Sequence, residues 1–369
     1  MKILYVTTIS ATMTFFIEHI KMLINEGNSV ELACNCTEPV SEIYNDLGCI
    51  VHHIPFSRSP FSKNNIVGYK MLKKIVGEGN YDVVHTHTPN ASLCTRLACI
   101  KVRKKGTKVF YTAHGFHFFK GAPLKNWALY YPVEKVCSRF TDTLITINHE
   151  DYSIAQKKMK AKKVFYVPGV GIDLQKIFNV ECDKNEIRKS LLIPDDAILL
   201  FSVGELNENK NHQIVLQALA KIKDDKVHYM IAGFGEWQEK LVQLAKDLNI
   251  KNQVHFLGYR TDVLNLYKSS DIFVFPSFRE GLSVSLMESM ACGLPVICSN
   301  IRGNIDLIDN CKGGFLFKPD DSIELQSEII ELVNDKQLRF NMGVYNKKKI
   351  KLFDKEAVKI NLKQIYEEK

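Results

Sequence analysis

The 369-residue chain is longer than the size at which single hydrophobic cores stop growing, so two domains of about 150 to 200 residues are expected. Hydrophobic residues at 46% and charged residues at 24% are ordinary globular composition and exclude a disordered or low-complexity chain. The net charge of +8 is uneven: residues 1–168 carry 22 Lys and Arg against 12 Asp and Glu, net +10, and residues 169–369 carry 27 against 29, net −2.

At the start, MKILYVTT meets Thr7, Thr8 and Ser10 too soon to form a signal-peptide core, and no uncharged apolar stretch of about 18 residues follows, so a cytoplasmic protein is expected. Short β-branched runs then alternate with helical-period segments. KILYVTT, SVELACN, DVVHTHT, KVFYTAH, DTLITIN and KVFYVPG read as strands, with helices such as 13–26 and 64–77 between them. That βαβ rhythm implies a parallel sheet covered on both faces. Within it, Arg96, Lys101, Arg103, Lys104, Lys105 and Lys108 lie beside the apolar SLCTRLACI, a combination suited to the surface of an anionic membrane. No helix-turn-helix, zinc or RNA-binding signature accompanies the charge, so nucleic acid is not an expected partner.

Pro168, Gly169 and Gly171 in VPGVGIDLQKIF, followed by the charged ECDKNEIRK, mark a hinge near 169–185. The rhythm restarts with AILLFSVG, VHYMIAG, QVHFLG, DIFVFPS, PVICSN and GFLFKP, a second doubly wound α/β domain. A charged amphipathic tail begins near 353. The ten cysteines contain no C-x-x-C pair and read as reduced packing residues, with no structural metal expected.

In open α/β sheets ligands sit beyond the carboxyl ends of the strands, so four loops carry the expected chemistry. After KVFYTAH stand His114, Gly115 and His117, where an imidazole could polarise an acceptor or phosphate oxygen. After AILLFSV come Gly204, Glu205, Asn209 and Lys210, with the lysine a candidate point charge for a diphosphate. The loop Gly258–Tyr259–Arg260 offers backbone groups and an aromatic face for a planar base. After DIFVFPS the chain gives Glu280 and Gly281, then a helix of about ten residues ended by Gly293 and Pro295. Amides of Leu282, Ser283 and Val284 open that helix and form an anion cradle. Val284, Met287, Met290 and Ala291 are its expected buried stripe, with Glu288 beside it. Glu280 and Glu288 thus bracket a phosphate-binding helix end, which suits a ligand carrying hydroxyl groups on either side of its phosphates. A dehydrogenase is excluded because GFGEWQ has Gln238 where G-x-G-x-x-G needs its third glycine.

Taken together, the two doubly wound domains, the E-x7-E stretch from Glu280 to Glu288, SVGELNENKNH, FLGYRTDV and VPGVGID resemble the retaining glycosyltransferases of family 4, with the GT-B fold. AHGFHFFKGAPLKNWALYYPVEK is similar to the branch that builds bacterial capsule and exopolysaccharide. The resemblance implies two Rossmann-like domains facing each other across a cleft: an acceptor-binding domain of 1–168 plus 353–369, and a donor-binding domain of 169–352. It implies that Lys210 neutralises the donor diphosphate, that Glu280 binds sugar hydroxyls and Glu288 the ribose, and that the backbone near Tyr259 and Arg260 holds the base. His114 matches the histidine near the sugar and acceptor. Glu205 departs from the pattern, since many relatives carry arginine there.

The expected reaction is metal-independent retaining transfer from a nucleotide-sugar, with UDP the first choice of base, to a lipid-linked or saccharide acceptor such as an undecaprenyl-diphosphate carrier at the inner face of the cell membrane. No cofactor is expected, since the sequence contains no D-x-D to hold a metal. The alternatives are a nucleotide-sugar 2-epimerase of the same fold and a non-catalytic nucleotide-binding subunit.

Overall fold

The structure, a computed structural model, describes residues 1–368. The chain divides into two compact units, Met1–Gly171 with the segment from Lys355 onward, and Ile172–Asp354. The first holds β1 (Lys2–Ile9), β2 (Ser29–Asn35), β3 (Ile50–His53), β4 (Val83–Thr86), β5 (Lys108–Ala113), β6 (Thr143–Thr146) and β7 (Lys163–Tyr166) in one parallel sheet of order β3-β2-β1-β4-β5-β6-β7. The second holds β8 (Ile198–Val203), β9 (Val227–Ala232), β10 (Val254–Phe256), β11 (Ile272–Phe275), β12 (Val296–Ser299) and β13 (Gly314–Phe317), ordered β10-β9-β8-β11-β12-β13, also parallel.

Each sheet is covered on both faces because successive strand residues point to opposite sides. In β1, Ile3 and Tyr5 enter one core while Leu4 and Val6 enter another. In β8, Leu199 and Phe201 face one core and Leu200 the other. Every strand expected from the β-branched runs is present. Strand β3 was not expected: IVHH is an edge strand, half-exposed, with two histidines among its four residues, so it lacks the apolar run that marks the central strands.

The segment read as a hinge at 169–185 contains the passage between the units, and most of its residues are exposed or half-buried. Ile172, Leu174 and Ile177 are buried in the second unit. The chain passes between units at 171/172 and 354/355. There the Ile172 amide donates to the Phe353 carbonyl at 3.0 Å, and Gly171, at φ +75°, lies against the Lys355 backbone, where a Cβ would come within 2.6 Å. The helix Lys355–Glu367 belongs to the first unit, burying Val358, Leu362, Ile365 and Tyr366.

Both strand orders reverse direction once, between β1 and β4 and between β8 and β11. These reversals are where the loops diverge and leave a crevice for a ligand.

Candidate donor site and the histidines of the first unit

At the reversal of the second sheet, the loops after β8 and β11 are stitched together by short-range polar contacts. Lys210 Nζ donates to Glu280 Oε1 at 2.7 Å and lies 4.9 Å from the centre of the Phe275 ring. Asn209 Nδ2 donates to the Arg279 carbonyl at 3.1 Å, and the Phe278 amide donates to the Asn209 carbonyl at 2.8 Å. Asn211, in the left-handed region at φ 52°, donates to the Pro276 and Pro319 carbonyls at 3.3 and 2.8 Å. Lys210 and Glu280 are mostly enclosed, so their charges act through less water than surface groups do.

A cavity of about 390 Å³ opens beside this pair, lined by Gly204, Glu205, Gly233, Phe234, Tyr259 and Arg260 among others. Four of the expected residues therefore meet. Tyr259 and Phe234 are 73% and 62% exposed, with their rings edge to face at 6.1 Å, leaving two aromatic surfaces for a planar base. Arg260 is committed to Asp262 through two hydrogen bonds of 2.8 and 2.6 Å, so its guanidinium is not a free phosphate partner. Gly233 and Phe234 were missed by sequence reasoning, which used GFGEWQ only to exclude a dehydrogenase. The signal was present in the glycine: at φ +149° a Cβ on Gly233 would sit 1.8 Å from the Gly204 carbonyl oxygen, so the loops after β8 and β9 approach this closely only with glycine there.

The loop after β11 feeds the helix Val284–Cys292, capped by Ser283, whose Oγ accepts from the Leu286 amide at 3.3 Å, and stopped by Gly293 at φ 80°. Met287, Met290 and Ala291 are buried as expected, Leu286 and Ser289 are buried as well, and Val284, at the first turn, is only partly so. Glu288 is half-buried beside the stripe, and its carboxyl is pushed up from its ordinary range by burial, against the opposing effects of Tyr267 and Lys176. It is thus a carboxyl suited to exchanging hydrogen bonds with hydroxyl groups.

Sequence reasoning also missed Arg302, which is 5% exposed and donates from Nε to the Glu280 carbonyl at 3.3 Å. The next residue, Gly303, packs against the Gly281 carbonyl, where a Cβ would lie 2.1 Å away. The loop after β12 therefore holds Glu280 and Gly281 from behind. Glu205 is exposed at the cavity rim.

At the reversal of the first sheet, Thr8 and Thr88 bond through their hydroxyls at 2.8 Å, and Thr88, β-branched, is held at φ 59°. Such strain persists only where its surroundings impose it, and it is concentrated at functional sites. A cavity of about 320 Å³ here is lined by Thr8, Thr12, Arg58, Asn90, His117 and Tyr130 among others. His117 stacks on Tyr130 with ring centres 4.5 Å apart. His114, at the end of β5, meets His87 Nδ1 through its Nε2 at 3.1 Å. Burial among aromatic and imidazole rings pushes His114 down to about 4, so at neutral pH it is an uncharged hydrogen-bonding group. His87 joins this site, whereas His85 is structural, bonded to Tyr366 and Thr112 at 2.7 and 2.8 Å.

The basic run expected to face a membrane is only partly available. Arg96 is buried, bonded through both terminal nitrogens to Glu134 at 2.7 and 3.1 Å and seated 4.4 Å from the Tyr111 ring centre. Arg103 is paired with Asp142 at 2.8 Å. Most of SLCTRLACI is core, leaving Lys101, Lys104 and Lys105 exposed. Among the described residues, no group of three or more His, Cys, Asp or Glu side chains is placed to hold a metal ion, and no helix is long and apolar enough to cross a membrane.

Two parallel-sheet units, one with a lysine and a carboxylate set at a helix start beside an aromatic-walled cavity, define an enzyme of the nucleotide-sugar transferase class. The comparisons agree in every part of the chain. Residues 2–148 match the family described as Glycosyl transferase 4-like, and residues 183–349 match Glycosyl transferases group 1. EpsD of Bacillus subtilis (strain 168), whose name calls it a glycosyltransferase and specifies no sugar, is 36% identical over 85% of this chain and 83% of its own length. The UDP-Gal:alpha-D-GlcNAc-diphosphoundecaprenol alpha-1,3-galactosyltransferase of Escherichia coli is 29% identical over 87% of this chain and 84% of its own. Among solved structures, HepE of Anabaena in complex with UDP has a TM-score of 0.81 and 19% identity, with all of both chains covered. The chain belongs to the glycosyltransferases, of the family-4-like kind with the GT-B fold. The relatives are named for glycosyl transfer, which disfavours the epimerase and the non-catalytic subunit.

Proposed function

We propose that the enzyme moves a sugar, with retention of configuration, from a UDP-sugar to a saccharide carried on a polyprenyl diphosphate, in bacterial surface polysaccharide synthesis at the inner face of the cell membrane. The observation that carries this reading is the Lys210–Glu280 pair at the start of the helix Val284–Cys292, beside the aromatic cavity. The cavity takes the uracil against Tyr259 or Phe234, Glu288 takes the ribose hydroxyls, and Glu280 takes hydroxyls of the transferred sugar. Lys210 and the amides of Leu282, Ser283 and Val284, leading into the helix, stabilise the diphosphate as it departs. Those groups meet the developing charge themselves, so the reaction does not require a divalent metal.

The bond between the anomeric carbon and the diphosphate oxygen breaks, and the acceptor oxygen bonds to that carbon on the same face. The acceptor proton passes to the departing phosphate oxygen, which balances the step without a protein nucleophile. Neutral His114, oriented by His87, hydrogen-bonds the acceptor, and the first-unit cavity with Arg58 and the His117–Tyr130 stack receives the acceptor headgroup. Support for the substrates comes from relatives named for diphospho-undecaprenol acceptors and from a structural neighbour solved with UDP-glucose.

A panel of nucleotide-sugars offered with a short-chain polyprenyl-diphosphate saccharide tests this. Transfer from a UDP-sugar in the presence of chelator, giving a product of retained anomeric configuration by NMR, is expected. Inversion, a requirement for added metal, or conversion of the donor without an acceptor would refute it.

A further inference from the structure

The helix Leu124–Cys137 of the first unit is apolar on two faces. Its inner face carries Trp127, Tyr130 and Tyr131, packed on the cluster of Tyr111, Phe116 and Phe118. Trp127 Nε1 donates to the Phe119 carbonyl at 3.2 Å, and the buried Arg96 grips Glu134, so the rotation of the helix about its axis is fixed. The outer face is left in solvent: Leu129 is 61% exposed, Val133 43%, Val136 51%, and Leu124 at the first turn 86%. Positions 129, 133 and 136 follow the i, i+4, i+7 spacing of one helix face, and the exposed Lys125 and Pro132 lie on the same side.

The charge around this stripe is mostly positive, with the Glu150 carboxylate at the Lys120 amide the exception at its start. The helix carries a single acidic residue, Glu134, already paired with Arg96. Exposed Lys120 and Lys125 stand at its start and exposed Arg139 just past its end. Arg103 Nη1 donates to the Arg139 carbonyl at 3.3 Å, which ties the turn bearing exposed Lys101, Lys104 and Lys105 to that same end. An apolar stripe with lysines and arginine at both ends complements a surface that is greasy below and negative above, whereas the same cations would repel a second copy of this chain.

We propose that the helix Leu124–Cys137 lies in the headgroup layer of an anionic bilayer, with Leu129, Val133 and Val136 inserted and the flanking basic residues on lipid phosphates. The proposal rests on the reading that the acceptor is lipid-linked and names the surface by which the enzyme reaches it. Tyr130, on the inner face of this helix, lines the cavity with Arg58 and His117, so docking the helix would hold that cavity at a fixed depth relative to the lipid.

Sedimentation of the full-length protein with phosphatidylcholine vesicles, with and without phosphatidylglycerol, tests it. Wild type binds the vesicles containing phosphatidylglycerol, and the combined Leu129→Glu, Val133→Glu and Val136→Glu variant binds them weaker by about tenfold or more. Resistance of the first unit to limited proteolysis, together with unchanged far-UV circular dichroism, reports that the variant is folded. A second variant, Lys101→Glu with Lys104→Glu and Lys105→Glu, loses the preference for anionic lipid. Unchanged binding by the triple glutamate variant, or indifference of wild type to phosphatidylglycerol, overturns the proposal. So does a wild-type dimer that this variant dissociates, which would assign the stripe to contact between copies. Transfer to a short-chain, water-soluble acceptor is measured in parallel: its failure with vesicle binding intact indicts the acceptor reading and leaves the docking face standing.

Discussion

Lys210 is the cation whose loss the site can least compensate, because Arg260 is tied to Asp262 and Arg302 to the backbone of Glu280. Lys210→Ala is expected to lower kcat by about 10²- to 10³-fold, the effect of removing one preorganised partner of transition-state charge, and to weaken UDP binding. Steady-state kinetics and a thermal shift with UDP check both; an unchanged rate would assign diphosphate stabilisation elsewhere. Gly233→Ala asks for a Cβ 1.8 Å from the Gly204 carbonyl, so the loops after β8 and β9 must part. It should reduce UDP affinity while leaving far-UV circular dichroism unchanged, and full affinity would contradict the placement of the cavity. Residue types at strand ends made Lys210, Glu280 and Gly204 legible in the sequence. Arg302 and Phe234 were not, because their roles come from loops that meet only in three dimensions, and Arg96 looked like surface charge because its partner Glu134 is 38 positions away.

Among the elements, the carboxy-terminal helix Lys355–Glu367 completes the first unit. It buries Val358, Leu362, Ile365 and Tyr366, each worth about 1.5 to 3 kcal/mol for full burial, and Tyr366 bonds the buried His85. The sum is comparable to the whole stability of a domain. Truncation after Asp354 should therefore unfold the first unit and leave the second able to bind UDP, as limited proteolysis would show; a protease-resistant first unit would contradict it. The tail was readable as a charged amphipathic segment from about 353, but its buried face was not, since Ile360 is exposed and Val358 and Leu362 lie inside. Strand β3 was not, since its four residues alternate neither in polarity nor in size. The helix Leu124–Cys137 was visible as part of a family resemblance, but the exposure of its outer face depends on which side Arg96 and Trp127 hold down.

For the whole molecule, buried imidazoles set the acid limit of stability. His19, His114 and His255 are pushed down to about 4 and His212 to about 3, each chiefly by burial. A lowered histidine stabilises the fold fully above the ordinary value of about 6.5, and that contribution is lost as pH falls toward 4. Glu328, pushed up to about 8 by burial and neighbouring carboxylates, acts in the opposite sense, its contribution being lost as pH rises from about 4.5 through 8. His85, His87 and His228 are lowered as well, so buried imidazoles outnumber the raised carboxyls of Glu288 and Glu328, and thermal stability should fall as pH drops from about 6.5 toward about 5. A melting temperature that rises from about pH 6.5 to about pH 5 would contradict that balance.

The doubly wound pattern of both halves was readable from β-branched runs alone, whereas the strand orders that create the two reversals were not, because pairing between distant strands leaves no local trace. The central claim is that the Lys210–Glu280 pair is the transfer site, and the rate of sugar transfer by Glu280→Gln tests it most directly. A loss of at least about 10²-fold in kcat with UDP affinity nearly unchanged is expected, since the substitution removes the charge facing the sugar and keeps the shape of the loop. Transfer at a rate near that of wild type would contradict it.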